Sequence, residues 1–179
     1  FLQQALGPRL KYSCCYWPHG VASLAAAEEE ALRQVCERAG IADGMEVLDL
    51  GCGWGSFSLW TAEHYPRCRI LGVSNSAPQR QFILDRAKGR GLANVEIVTA
   101  DANVFDTDRR FDRVVSIEMF EHMRNYRTLL GRIAGWLKAD GKLFVHIFTH
   151  REYAYFFETQ GEDDWMGKYF FTGGIMPSD

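Results

Sequence analysis

The sequence predicts an α/β fold built on a doubly wound, mostly parallel β-sheet. Three observations predict it. Short apolar runs alternate with helix-length segments from residue 46 onward, a Gly-rich turn follows the first run, and polar side chains collect just after the later ones. Apolar strands alternating with helices require a sheet covered on both faces, which is the parallel arrangement. In such sheets ligands bind beyond the carboxyl ends of the strands, where the strand order switches. The residues just after each run are therefore the functional candidates.

The elements follow in chain order. Residues 1–20 are aromatic and irregular. Residues 25–39 read as a helix, with Glu28-Glu29-Glu30 early and Arg38 late, an arrangement that suits the helix dipole. Ala42-Asp43-Gly44 is a turn. Residues 46–50 form a short buried strand and 54–65 a helix. Residues 69–73 form a strand and 77–88 a helix, with Pro78 tolerated in its first turn. Strands are expected at 95–99 and 111–117. Residues 126–137 carry Leu129, Leu130, Ile133, Trp136 and Leu137 at helical spacing. Ala139-Asp140-Gly141 turns the chain into an apolar strand over 142–148. Residues 150–179 are rich in aromatic and acidic residues and carry no clear period.

Composition narrows the function. Twenty basic and 23 acidic residues give a net charge of −3 with no Lys/Arg run, which argues against a nucleic-acid partner. No apolar run approaches the ~18 residues that a membrane span needs, and no stretch reads as a secretory signal. The five cysteines are odd in number, scattered and free of Cys-x-x-Cys spacing. Neither a disulfide framework nor a zinc site is expected, no metal is assigned, and a cytoplasmic location fits. A chain that starts at Phe1 and stops at Asp179 just after a Gly-rich loop reads as a segment of a longer protein.

After the first strand comes Asp49-x-Gly51-x-Gly53-x-Gly55. The dinucleotide fingerprint is Gly-x-Gly-x-x-Gly, and the spacing here differs. Asp49 would repel a pyrophosphate but accept hydrogen bonds from an ammonium, which favours a ligand with an amino-acid end. A plain strand–helix turn is the alternative. After the second strand, Ser74, Asn75 and Gln79 offer neutral hydrogen bonds where an acid often holds a ribose, while Ser76 suits a helix cap. After the third, Asp101-Ala102-Asn103 reads equally as an adenine edge or a turn. After the fourth, Ile117-Glu118-Met119-Phe120-Glu121-His122-Met123 puts two carboxylates and an imidazole within five residues beside apolar side chains. Such a cluster is costly to bury without a purpose. It is suited to taking up a proton near neutral pH.

Leu48-Asp49-Leu50-Gly51-Cys52-Gly53-Trp54-Gly55, with Tyr12-Ser13-Cys14 before it and Phe120-Glu121-His122 after it, resembles the cyclopropane-fatty-acid-synthase-like class I methyltransferases. Lys11-Tyr12-Ser13-Cys14-Cys15-Tyr16, Glu118 through Tyr126, and Glu162-Asp163-Asp164-Trp165-Met166 with Tyr169 through Gly174 are most similar to the plant coclaurine N-methyltransferase branch. The resemblance spans essentially the whole chain. It implies a Rossmann-like class I methyltransferase fold truncated after the fifth of seven strands, leaving one side of the sheet unpaired. Residues 1–40 would be an N-terminal cap segment, 41–150 the core, and 151–179 the start of a substrate-covering segment.

The resemblance also implies a cofactor, S-adenosylmethionine (SAM), with S-adenosylhomocysteine (SAH) as product. Tyr12 and Ser13 would close over its methionine end, and Gly51 and Gly53 would let it lie against the backbone. Ser74, Asn75 and Gln79 would hold the ribose, and Asp101, Ala102, Asn103 and Ile117 would flank the adenine. Glu118, Glu121 and His122 would form the acid/base and amine site. Proton removal from the amine falls to His122 and Glu121, and Glu118 holds the ammonium. The partner is a small-molecule amine, and a homodimer is allowed. The lipid-modifying members carry a small residue at the Glu118 position and place a bicarbonate near residues matching Cys14, Glu121 and His146. Methylene transfer to an unsaturated lipid is therefore the alternative, and a binding module without turnover a third.

Overall fold

The computed structural model describes residues 2–179. At its centre is a five-stranded sheet, all of whose pairings are parallel. The strands are β1 (Glu46–Leu50), β2 (Arg69–Ser74), β3 (Val95–Thr99), β4 (Phe111–Ile117) and β5 (Leu137–His146), in the order β3-β2-β1-β4-β5. The chain runs outward from β1 to β3 and then returns to the other side of β1. The switch point thus lies between β1 and β4, at the ends of the strands that deliver Gly51 and Glu118.

The helices are α1 (Leu2–Ala5), α2 (Leu24–Ala39), α3 (Ser56–His64), α4 (Ala77–Gly89), α5 (Tyr126–Trp136) and α6 (Trp165–Tyr169). Strand side chains alternate between the two faces. Val47, Ile70 and Val115 pack with Leu32, Val35, Phe57 and Trp60 of α2 and α3. Their neighbours Leu48, Leu71 and Val114 pack with Leu129, Ile133 and Trp136 of α5. One sheet therefore buries two apolar layers, as the uninterrupted apolar strands required.

Some boundaries shift for identifiable reasons. The expected start of α3 at residue 54 moves to Ser56, because Gly55 at its N-cap sits at φ +80 and Gly51 and Gly53 also have positive φ. The chain needs all of 51–55 to turn. At Gly55, a Cβ would lie 2.7 Å from Ile83 Cγ1. Gly55→Ala combines a left-handed residue, costing about 1–2 kcal/mol, with overpacking of about 1–3 kcal/mol. We expect a loss of about 2–5 kcal/mol, read as a lower urea midpoint at unchanged slope. The expected turn at 139–141 survives as an irregularity inside β5, whose partners on β4 jump from Phe111↔Leu137 to Arg113↔Lys142. Ile147 and Phe148 lie beyond the strand.

The acidic run of α2 does not cap its dipole. The helix starts at Leu24 with Ser23 accepting the Ala26 N–H at 3.2 Å, so no acid falls in the first turn, and Glu28 is buried. The unassigned 150–179 segment folds into a small antiparallel ribbon of β6 (Tyr155–Phe156) and β7 (Ile175–Met176), with α6 between them. Arg124 ties it to the site loop. Its guanidinium donates to Gly174 O at 3.2 Å and stacks 4.3 Å from the Phe156 ring. His150 holds the start of this segment: its Nδ1 accepts the backbone N–H of Tyr153 at 2.9 Å.

Candidate active site

β1 ends in a loop held against its neighbour, with the N–H groups of Gly51 and Cys52 both donating to Val73 O at 3.1 and 2.9 Å. The loop glycines are needed where other groups close on them. A Cβ on Gly51 would lie 2.7 Å from Met119 Cγ, and one on Gly53 3.0 Å from the Tyr12 ring. Asp49, at the end of β1, is buried and accepts a hydrogen bond from Ser58 Oγ at 2.6 Å. Burial raises its pKa to about 7, against the opposing hydrogen bonds from Ser58. An acid so poised gains by meeting a cation.

At the end of β2, Ser74 Oγ donates to Gln79 Oε1 at 2.7 Å, joining two of the expected ribose-side residues. Ser76 caps α4 as the sequence suggested, accepting the Gln79 N–H at 3.4 Å. After β3, Asp101 Oδ1 accepts both the backbone N–H and the side-chain amide of Asn103, at 2.8 and 2.9 Å. Arg132 holds this turn from α5 by donating to Asn103 O at 2.6 Å. The turn reading of 101–103 holds, and the same three residues line a cavity.

β4 leads into the chemical cluster. Ser116 Oγ locks its end to β1 through Leu50 O at 2.9 Å, and Glu118 N–H donates to His146 O of β5 at 2.7 Å. Glu118 itself lies at φ +48, in the left-handed region. A non-glycine residue there is strained, and such strain is concentrated at functional positions. A 3₁₀ turn over Phe120–His122 follows, with the Tyr126 hydroxyl donating to Phe120 O at 3.1 Å.

Two adjoining cavities receive these groups. A small one of about 30 Å³ is lined by Asp49, Ser13, Ile117 and the start of α3. A larger one of about 370 Å³ is lined by Ser74, Asn75, Gln79, Asp101, Ala102, Asn103 and His122. Tyr12, Gly51, Gly53 and Glu118 line both. The two cavities thus bring together the residues that the sequence assigned to the cofactor and to the acid/base site, except Glu121. Its side chain is buried and lines neither cavity, and neither oxygen has a hydrogen-bond partner among the described residues. Burial raises its pKa to about 7, and the charge of Glu118 acts in the same direction. His122 lines the larger cavity with its ring stacked on Phe171 at 4.9 Å, and burial lowers its pKa, so the imidazole is neutral near pH 7.

Cys14 and His146 meet at 3.5 Å between Sγ and Nε2. The carboxylate beside them is that of Glu118, with ligand atoms of all three residues within 4.8 Å of one another; Glu121 is not part of this group. Sequence reasoning missed Met119, which closes on Gly51, and Thr172, which reaches the larger cavity from the ribbon. No local signal marks Thr172, since its approach depends on how the ribbon folds back.

The chain belongs to the mycolic acid cyclopropane synthetase family, whose model matches residues 1–179. It is 43% identical over 176 residues to (S)-coclaurine N-methyltransferase of Thalictrum flavum subsp. glaucum, covering 98% of this chain and 49% of that enzyme. It is 34% identical over 175 residues to the cyclopropane-fatty-acyl-phospholipid synthase of Escherichia coli, covering 97% of this chain and 43% of that one. A crystal structure of coclaurine N-methyltransferase bound to N-methylheliamine and SAH superposes with a TM-score of 0.92 at 41% identity, covering 99% of this chain and 53% of that one. The chain spans about half the length of the curated relatives it matches.

Proposed function

We propose that this chain is the cofactor-binding part of a SAM-dependent methyltransferase that N-methylates a small-molecule, alkaloid-like amine. The greater likeness to the coclaurine enzyme than to the lipid synthase supports an amine acceptor. The observation that carries it is Glu118: a carboxylate held at strained φ that lines both cavities and stands beside the loop glycines. A second acid at that point suits a cationic amine and crowds an anion or an apolar alkene.

The residues fit the cofactor. Gly51 and Gly53 form a cradle that a Cβ would fill, and buried Asp49 lies where a ligand ammonium would meet it. When bound, SAM supplies a methyl group on a sulfonium, so the protein's task is orientation, desolvation and proton removal. Glu118 holds the protonated amine. His122, neutral near pH 7 and facing the larger cavity, takes the proton that frees the nitrogen lone pair. Sequence reasoning shared that step between His122 and Glu121. Only His122 lines the cavity, and we assign the proton to it, with Glu121 as a buried, readily protonated carboxyl behind Glu118. Residues 1–40 serve as the cap, 41–150 as the core and 151–179 as the start of the substrate cover. Five free cysteines support a reducing, cytoplasmic setting. No helix among the described residues is long and apolar enough to cross a membrane.

Two measurements test the proposal. Incubation of the whole protein with SAM and a panel of amines should yield SAH and a product heavier by one methyl group, read by mass spectrometry. Activity confined to unsaturated phospholipid vesicles would replace the amine reading with the lipid one, and SAM binding without any product would reduce the protein to a binding module. The second measurement is the pH dependence of SAM affinity. A bound ammonium favours ionised Asp49, so below its pKa of about 7 binding must expel a proton. Affinity should rise by up to about tenfold per pH unit up to pH 7. It should fall again as the ligand's own amino group deprotonates near pH ~8. A flat calorimetric profile between pH 5.5 and 7 would exclude Asp49 from that contact.

A further inference from the structure

The segment that brings Tyr12 and Ser13 to the cavities, and Cys14 beside Glu118, has neither helix nor strand between residues 6 and 20. Its position is set from α2. Glu28 is fully buried, and its two oxygens face this strap: Oε2 accepts the backbone N–H of Arg9 and Oε1 that of Lys11, each at 3.0 Å. Leu10 between them is buried at φ +54. Gly7 runs so close that a Cβ there would lie 2.3 Å from Glu28 Oε2. Lys11 passes the constraint forward. Its buried side chain donates from Nζ to Ser13 Oγ at 2.6 Å and to Cys14 O at 2.7 Å. From there the Tyr12 ring lies over Gly53, and the Cys14 N–H stands 3.5 Å from Glu118 Oε1.

We infer that Glu28 and Lys11 form a clasp that positions the strap over the cofactor cavity, making them positioning residues for SAM binding. Two buried charges are costly, and apolar residues of similar size often stabilise a fold as well or better. Neither Leu nor Met could grip two backbone N–H groups and so set the register of an irregular segment. The backbone N–H groups of Arg9 and Lys11 donate to the Glu28 carboxylate and so set that register directly. The inference rests on the proposed cofactor, and the test separates the two.

Lys11→Met keeps the aliphatic volume and removes both forward bonds. It should weaken SAM binding by about tenfold or more, leave Tm unchanged or raised, and alter kcat at saturating SAM far less than KM for SAM. Glu28→Gln cannot accept two N–H groups as a carboxylate does. It should weaken SAM binding, and speed trypsin cleavage after Arg9 and Lys11 while the core stays resistant. If the parent protein binds SAM, and both variants bind it equally well with unchanged cleavage, the clasp is refuted and the function stands. If SAM affinity falls only in step with Tm in both variants, the residues are merely structural and the inference also fails. If the parent does not bind SAM, the cofactor reading fails, while faster cleavage of Glu28→Gln would still report release of the strap.

Discussion

Glu118→Gly is expected to lose amine methylation while gaining stability. A non-glycine residue at φ +48 costs about 1–2 kcal/mol. The added freedom of glycine in the unfolded chain offsets about 0.5–1 kcal/mol of that. The net gain of ~1 kcal/mol should raise Tm by about 2–4 °C in a domain of this size. Losing a hydrogen-bonded contact to a charged group costs about 1.5–3 kcal/mol, so kcat/KM for the amine should fall by about 10–150-fold. SAM affinity should fall far less than the amine rate, because Asp49 and the loop glycines are untouched. Glu118→Ala should show the same loss of rate without the gain in Tm. An unchanged amine rate in both variants would remove the carboxylate from the substrate site and reopen the lipid reading.

Replacing His122 by alanine should give the largest loss of rate, and a loss that depends on pH. Burial lowers the pKa of His122, so its imidazole is already unprotonated at pH 7, while an alkylamine substrate is not. Removing the base should cost about 10²–10⁴-fold in kcat at pH 7. As the pH approaches the amine's own pKa, the lone pair is freed without help and the deficit should shrink. A stopped-assay pH profile of both proteins, on one amine, reads this directly. A deficit equal at all pH values would mean that the ring positions the substrate through its packing on Phe171 and takes no proton. Glu121→Gln should matter less, because that carboxyl is buried and lines neither cavity.

Much of this site could be read from the sequence, because class α/β sheets deliver their chemistry at strand ends. Strands that start at 46, 69, 95 and 111 make the residues following each converge, and Gly51, Asn75, Asp101 and Glu118 do. Three features were beyond that logic. The left-handed turn at Glu118 sends it to the cavities while Glu121, three residues on, goes into the interior; adjacency in sequence could not separate the two. The ribbon over 150–179 has only two-residue strands, too short to impose a period. The burial of Glu28, by contrast, was legible in principle. It lies one turn from Ala31 and Leu32 on the apolar stripe of α2, where a solvated acid does not belong. Glu29 and Glu30, its neighbours in sequence, lie off that stripe and are not buried.

On this account the donor lies over the loop at 51–55 with its reactive end facing Glu118 and His122. The most direct test is a crystal structure of the whole protein with SAH and a methylated amine. We predict the SAH amino-acid end beside Asp49 and Tyr12, its adenine beside Asp101 and Asn103, and the amine nitrogen between the sulfur and the Glu118–His122 pair. Density for SAH elsewhere, or an amine held away from both side chains, would contradict it.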